Sequence, residues 1–385
     1  MLPFFDEDHL ALRGRVRTWA EKNLTSLSAE PNDVEEMGRR LVRQIGREGF
    51  LTYTVPKDYA GMRRTVQARD LCVIREELAR ASALADTMFA IQALGSHPIT
   101  MNGTEEQKLR YLPPIAKGEA IAAFALTEPD SGSDASSLQT HAVRRGKEYV
   151  LTGTKRFISN AGIADTYVVF ASTDPEKRSK GISAFIVEAD VPGLIVKEKT
   201  SLVSRHPIGV IAFEDCMIRE SSRLGREGEG LKIALRTLDT LRCTVAASSV
   251  GLAQRALEEA IQYSQNRQQF GQAIADFQAT QFKLAEMATK LEAARLLVYQ
   301  AAWANDTDSV DLKQKASMAK LFATEAAQKI IDEALQIHGA VGLIAGTVME
   351  RLYRDVRALR IYEGTSEIQK LIIARSLLEK PRVEN

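Results

Sequence analysis

The sequence predicts a mostly α-helical protein with an inserted β domain: an N-terminal helical domain, a middle β-barrel-like domain and a C-terminal four-helix bundle. Three observations carry this. Apolar residues recur at helical spacing from Asp6 to about Lys117. Short runs rich in Val, Ile and aromatics then take over, and long alanine-rich helical stretches fill the remainder. The boundaries fall at 1–119, 120–225 and 226–385. A chain of 385 residues exceeds a usual single domain and has ample material for a core.

In the first domain, Leu10, Leu12, Val16 and Trp19 begin an apolar stripe that Met37, Leu41, Ile45 and Phe50 continue. Leu71, Ile74, Leu78 and Ala79 mark a longer helix, and Val55 to Gly61 interrupts the pattern as a loop. Thr104 and Gln107 stand three apart as in a capping box, and Pro113-Pro114 is expected to stop the helix that follows.

The character changes near Ala120. Ile121–Leu126, Glu148–Leu151, Thr166–Ala171, Ile182–Val187, Leu194–Val196 and Val210–Phe213 read as strands, with turns at Gly146-Lys147, Asp174-Pro175 and Pro192-Gly193. After Gly230 three long helices are expected, Leu231 to about Asn266, Phe277–Ala304 and Leu312 to about His338. Lys380–Asn385 reads as a frayed tail.

Lysine plus arginine (51) nearly cancel aspartate plus glutamate (50), so the overall balance implies no nucleic-acid or other polyanion partner. Cys72, Cys216 and Cys243 are scattered, without the spacing of a metal or redox pair, and are expected as buried thiols. No metal is expected. The first residues lack a signal-peptide pattern and no run approaches about 18 uncharged apolar residues, so a soluble cytoplasmic protein without a membrane span is expected.

Candidate chemistry centres on Glu363, between Tyr362 and Gly364 and just ahead of a helix that Ser366 and Gln369 announce as a capping box. The helix amino end favours the carboxylate by about 0.3 to 1 kcal/mol. Full burial raises a carboxyl pKa by up to about 3 to 5 units at about 1.36 kcal/mol each, so burial wins. A carboxylate tuned this way suits a general base, and its own N–H can polarise a carbonyl; a solvated turn residue is the other reading.

Thr127–Asp134 closes the first strand with small hydroxyls and Gly132, offering donors without bulk, or forming an ordinary turn. Arg267 to Gly271 falls between two long helices, where the arginine and Phe270 could clamp a pyrophosphate and stack an adenine, or form a capped interhelical turn with Phe270 in the core. Gln336 to Gly339 lets a backbone approach a ligand or caps a helix. Asp239 and Arg242 share a helix face as an ion pair or as contacts to an elongated ligand.

Together these stretches resemble the acyl-CoA dehydrogenase family through nearly the entire chain. The matching motifs are Thr127-Glu-Pro-x-x-Gly-Ser-Asp134, Phe157-Ile-Ser-Asn160, Arg267-x-x-Phe-Gly271, Gln336-x-x-Gly339 and Tyr362-Glu-Gly-Thr365, in the family's order and spacing. The resemblance implies FAD as cofactor, an acyl-CoA substrate in fatty acid metabolism, an electron-transfer flavoprotein as acceptor and a homo-oligomer, tetramer or dimer. It implies that Phe124, Leu126, Thr127, Gly132 and Ser133 approach the flavin and its ribityl chain while Phe157, Ile158 and Ser159 close over the ring. Arg267, Phe270, Gln278, Gln336 and Gly339 would hold the pyrophosphate and adenine end, partly across a subunit boundary, and Thr365 and Glu367 would reach the cofactor from the other side.

Glu363 matches the family's base, and Leu241 occupies the position where some relatives place theirs. Asp239 and Arg242 match residues that contact pantetheine and CoA; Ser133, Tyr362 and Gly364 complete the implied substrate contacts. The implied reaction is α,β-dehydrogenation to a trans-2-enoyl thioester. An oxidase, an enoyl-CoA reductase, a dehydrogenase of carrier-bound acyl groups and a non-catalytic helical assembly protein are the alternatives. The segment Leu202 to Gly209 departs from the usual loop, so His206 is a structural histidine or, with Arg205, meets an unusual acyl group. Phe157 and Ala340 stand where many relatives have tryptophan and glycine.

Overall fold

The computed structural model describes residues 4–24 and 33–378; the tail Lys380–Asn385 lies outside them. In chain order the first elements are α1 (Glu7–Asn23), α2 (Val34–Arg47), α3 (Ala68–Ala81), α4 (Ala83–Asn102) and α5 (Glu105–Lys117). The strands β1 (Ala122–Ala125), β2 (His141–Arg145), β3 (Glu148–Ser159), β4 (Thr166–Ser172), β5 (Ile182–Glu188), β6 (Leu194–Lys199), β7 (Ile208–Arg219) and β8 (Arg223–Leu224) follow. Then come α6 (Gly230–Asn266), the hairpin β9 (Gln268–Gln269) and β10 (Gln272–Ala273), α7 (Gln278–Asp306), α8 (Leu312–His338), α9 (Val348–Ala358) and α10 (Ser366–Leu378).

The chain forms two compact units. One comprises Met1–Glu30, Gln67–Asp86 and Asp239–Asn385, and the other Pro31–Val66 and Thr87–Leu238. In the first, helical periodicity becomes burial: Leu12, Val16 and Ala20 of α1 are enclosed, and Arg17 forks onto Glu77 of α3 at 2.9 and 2.8 Å. Leu10, expected in that stripe, is exposed; His9 takes the buried position because residues 9, 12, 16 and 20 share a face. Small residues let α7 and α8 pack closely, with Ala294, Ala301, Ala319, Ala323 and Ala327 all buried. Besides its long elements this block carries α9, which the sequence reading did not separate. Cys72 and Cys243 are buried free thiols, and Cys72 Sγ donates to Cys243 Sγ at 4.0 Å.

In the second unit the expected capping box closes α5: Thr104 N donates to Gln107 Oε1 at 2.9 Å and Gln107 N to Thr104 Oγ1 at 3.2 Å. Pro113 and Pro114 do not stop this helix. The carbonyls that lose their donors belong to Leu109 and Arg110, both exposed to water, and the helix continues to a left-handed cap at Gly118 (φ 71°).

The eight-stranded sheet runs β6-β7-β3-β2-β4-β5-β8, with β1 added parallel to β4. Strand β2 was missed because only Ala142 of its five residues is buried, leaving little apolar signal. It pairs with β3 across the Gly146 turn, and β3 and β7 each run twelve residues, well beyond their apolar cores. Phe170, Ile182, Ala184 and Ile186 pack with Ile99, Leu112 and Ile233 as the core of this unit. No helix among the described residues is long and apolar enough to cross a membrane.

Candidate active site

Between α9 and α10 the chain makes a turn in which Glu363 (φ 51°) and Gly364 (φ 91°) are both left-handed. That conformation is costly for a glutamate and recurs at functional positions. A Cβ on Gly364 would come within 2.5 Å of Gln369 Nε2, so glycine is required there. The expected capping box is not formed. Thr365 Oγ1 accepts from Ile368 N at 3.3 Å, Ser366 Oγ donates to Glu325 at 2.7 Å, and Gln369 Nε2 donates to the Gly364 carbonyl at 3.0 Å and the Glu363 carbonyl at 3.4 Å. The cap moved one residue because Gln369 is committed to the turn.

The turn carbonyls are thus occupied, whereas among the described residues no acceptor engages the Glu363 N–H. Glu363 Oε2 is enclosed and without a hydrogen-bond partner, so its lone pairs are unspent. Burial raises the Glu363 pKa, opposed by the charges of Arg75, Lys320 and Arg242, while Asp86 adds to the rise.

These charges are fixed by their own contacts. Arg75 forks onto Asp86 at 2.8 and 2.9 Å and donates to Thr244 at 2.9 Å; Ser248 also donates to Asp86 at 2.6 Å. Arg242 pairs with Asp239 at 2.6 Å, and its Nε is buried without a partner. The expected Asp239–Arg242 pair therefore exists, with Arg242 enclosed rather than solvated. Leu241 is also buried. Sequence reasoning missed Arg75, Asp86 and Lys320. The available signal was an arginine four residues after Leu71 on an apolar face, and a lysine within the stripe of Ala316, Ala319 and Ala323.

The second unit carries a separate group of predicted residues. Arg156 N donates to the Thr127 carbonyl at 2.9 Å, bringing the loop after β1 beside the end of β3. Phe157 sits at a register shift with φ 55°, exposed, with the Arg156 guanidinium 4.9 Å from its ring centre. Gly132 and Ser133 are exposed, and among the described residues the Gly132, Ser133 and Asp134 N–H groups and the Thr127 and Ser133 hydroxyls have no acceptor. The Leu126 and Ile158 side chains are core, and Phe124 packs on Phe170 at 4.9 Å, so Leu126 and Ile158 can meet a ligand only through backbone.

His206 is bound to this group. Its Nδ1 lies 3.2 Å from the Ser204 carbonyl and its Nε2 3.0 Å from Ser159 Oγ. A carbonyl only accepts, so Nδ1 carries the proton and Ser159 donates to Nε2. Burial lowers the His206 pKa, which keeps the ring neutral near pH 7. It is thus a partner of Ser159, which the sequence did not indicate.

The loop after β1 hangs on a buried pair. Lys155 Nζ donates to Glu128 Oε1 at 2.7 Å and to the Leu126 carbonyl at 3.0 Å, while Glu128 accepts from Gln139 N at 2.5 Å and Thr140 N at 3.0 Å. Lys155→Met strands the carboxylate, an expected cost of about 3–5 kcal/mol. Lower thermal stability follows, and adding Glu128→Gln recovers part of it. Calorimetry on the two variants checks this.

The third group lies at the far end of α8. Phe270 (φ 53°) and Gly271 (φ 83°) form the two-residue turn of the β9–β10 hairpin, and Phe270 is 95% exposed. Arg267, Gln278, Gln336 and Gly339 are exposed, and Gly339 (φ 57°) caps α8. Tyr263 stacks on His338 at 4.4 Å, holding the ends of α6 and α8 together and Arg267 near Gly339. Gln336 is sixteen residues from Lys320 on one helix, about 24 Å at about 1.5 Å per residue, so this group does not join Glu363 within one chain. Thr365 and Glu367 lie on the Glu363 side. No group of three or more His, Cys, Asp or Glu among the described residues could hold a metal ion.

Family profiles described as acyl-CoA dehydrogenase N-terminal, middle and C-terminal domains match residues 6–119, 123–216 and 228–378. The chain is 42% identical over 380 residues to a 3-(aryl)acrylate reductase of Clostridium sporogenes, covering 98% of this chain and 100% of that one. It is 41% identical to the caffeyl-CoA reductase-Etf complex subunit CarC of Acetobacterium woodii, covering 98% and 100%. Identity is 40% to an acyl-CoA dehydrogenase of Bacillus subtilis, covering 97% and 98%. Among solved structures, an acyl-CoA dehydrogenase of Bacillus anthracis complexed with FAD superposes with a TM-score of 0.89 at 34% identity, covering 97% of this chain and 67% of that one.

Proposed function

We propose, from the premise that this chain belongs to the acyl-CoA dehydrogenase family, that it interconverts an acyl-CoA and its trans-2-enoyl-CoA with Glu363 as the base at the α-carbon. The observation that carries this is Glu363 Oε2: buried, without a partner, and on a left-handed turn whose own N–H is uncommitted. The oxygen takes the α-proton, and the Glu363 N–H can donate to the thioester carbonyl as charge develops there. Asp239 and Arg242 bind the CoA arm, and Tyr362 and Gly364 border the thioester.

The protein is an FAD-dependent oxidoreductase of its family, and its residues fit that cofactor. Unspent N–H and hydroxyl donors at Thr127 to Asp134 suit the ring edge and ribityl chain, the exposed Phe157 suits a ring face, and the exposed Arg267 suits a pyrophosphate. Bound FAD supplies the acceptor for the hydride leaving the β-carbon. Phe124, Leu126, Gly132, Ile158 and Ser159 complete the first group in this reading. Phe270, Gln278, Gln336 and Gly339 would serve a second copy's cofactor, and Thr365 and Glu367 the chain's own. The about 24 Å along α8 supports that division, and with it a homo-oligomer, dimer or tetramer.

We assign the partner as an electron-transfer flavoprotein, the domains as 1–119, 120–225 and 226–385, and the location as the cytoplasm. Anaerobic addition of straight, branched and aromatic acyl-CoAs should bleach the visible flavin band with at least one member. No bleaching and no binding by any of them would argue for a non-catalytic assembly protein. In air, slow reoxidation without stoichiometric peroxide is expected; rapid reoxidation with peroxide would make the protein an oxidase.

A second reading runs the same chemistry toward reduction, favoured by the two reductases among the relatives. The enzyme reduced with dithionite would then be reoxidised by a 3-arylacryloyl-CoA faster than the oxidised enzyme is bleached by the matching 3-arylpropanoyl-CoA.

A further inference from the structure

Lys320, on α8, is fully buried. Among the described residues no carboxylate lies within ion-pair distance of its ammonium. Instead Nζ donates to the Gly364 carbonyl at 2.7 Å, the oxygen that Gln369 also holds at 3.0 Å. An enclosed charge without a counter-ion is costly, and burial pushes this lysine down to about 8, against the attraction of Glu363. The helix around it is lined by Ala316, Ala319 and Ala323, where an apolar side chain would cost nothing of the kind.

We propose that Lys320 is a positioning residue for Glu363: it ties down the left-handed turn through the Gly364 carbonyl and places a positive charge beside the base. The strained Glu363, on a turn that continues left-handed through Gly364, needs an anchor to persist, and Lys320 with Gln369 provides it. The role rests on Glu363 being the base. The charged groups acting with it there are Arg75 from α3, Asp86 from α4 and Arg242 from α6, with Glu325 and Glu367 acting on Lys320 from beyond ion-pair distance.

Clamp and charge separate by substitution. Lys320→Met removes both, Lys320→Gln keeps a donor, and Lys320→Arg keeps both. With the FAD-bound enzyme, the acid limb of the kcat profile against pH is expected to move up by about one unit in the Met and Gln variants and to stay in the Arg variant. A fall in kcat beyond that shift is expected for Met alone, with KM changed less than kcat. Thermal unfolding and flavin content in the same samples establish folding, and an unfolded Met variant leaves the Gln and Arg arms to decide. Limbs and kcat matching wild type in both neutral variants would overturn the proposal while leaving Glu363 in place. A fully active Glu363→Gln enzyme would instead overturn the base assignment and Lys320's role with it.

Discussion

Glu363→Gln is expected to keep FAD and acyl-CoA bound while slowing flavin bleaching by about a thousandfold. Glutamine preserves the length of the side chain, the turn and the backbone N–H, so binding and carbonyl polarisation survive. What disappears is the oxygen proposed to take the α-proton. Stability should move oppositely. Burial raises the Glu363 pKa, so the carboxyl's contribution to stability is fully present below its unfolded value, near about 4, and is lost as pH rises through the folded value. The variant is therefore expected to melt higher than wild type at alkaline pH, with the gap closing on acidification. Calorimetry across pH and anaerobic stopped-flow bleaching read the two effects separately.

Arg75→Met is expected to damage both stability and chemistry. Arg75 and Asp86 are both buried and joined by two hydrogen bonds, so removing the cation leaves a carboxylate held, among the described residues, by Ser248 alone. Breaking a buried pair this way costs about 3–5 kcal/mol. Arg75 is also the largest of the charges opposing burial at Glu363. Without it the base titrates higher, and the acid limb of the rate profile moves toward alkaline pH. Denaturant unfolding together with the profile checks the prediction; a variant equal to wild type in both would remove Arg75 from the account. Asp86→Asn in the same background should recover part of the lost stability and, by removing the negative charge that adds to the rise at Glu363, part of the profile.

The order of helices, strands and helices was legible because most elements carry an apolar stripe or run of their own. Where that signal was thin the reading failed, as at β2 with its single buried residue, or at Leu10, whose place belongs to His9. The turn that carries Glu363 was legible because its local context, an aromatic, a glycine and a helix start, is contiguous in sequence. Its electrostatic surroundings were not. Arg75, Asp86, Arg242 and Lys320 come from four helices, and only packing shows which charges share an interior. The Ser159–His206 contact was hidden for the same reason, since it joins residues 47 apart in the chain, whereas the Thr365 cap turned on which of several nearby side chains took the helix start. Pro113 and Pro114 show the converse: a strong local stop signal yielded because the affected carbonyls face water.

The most direct measurement is α-hydrogen exchange. FAD-bound protein is incubated anaerobically in D2O with a saturated acyl-CoA that bleaches it, and deuterium at C2 is read by mass spectrometry. Wild type is predicted to wash deuterium into C2, and Glu363→Gln, with equal flavin content, is predicted not to. Exchange in the variant at the wild-type rate would contradict the assignment of Glu363 as the base.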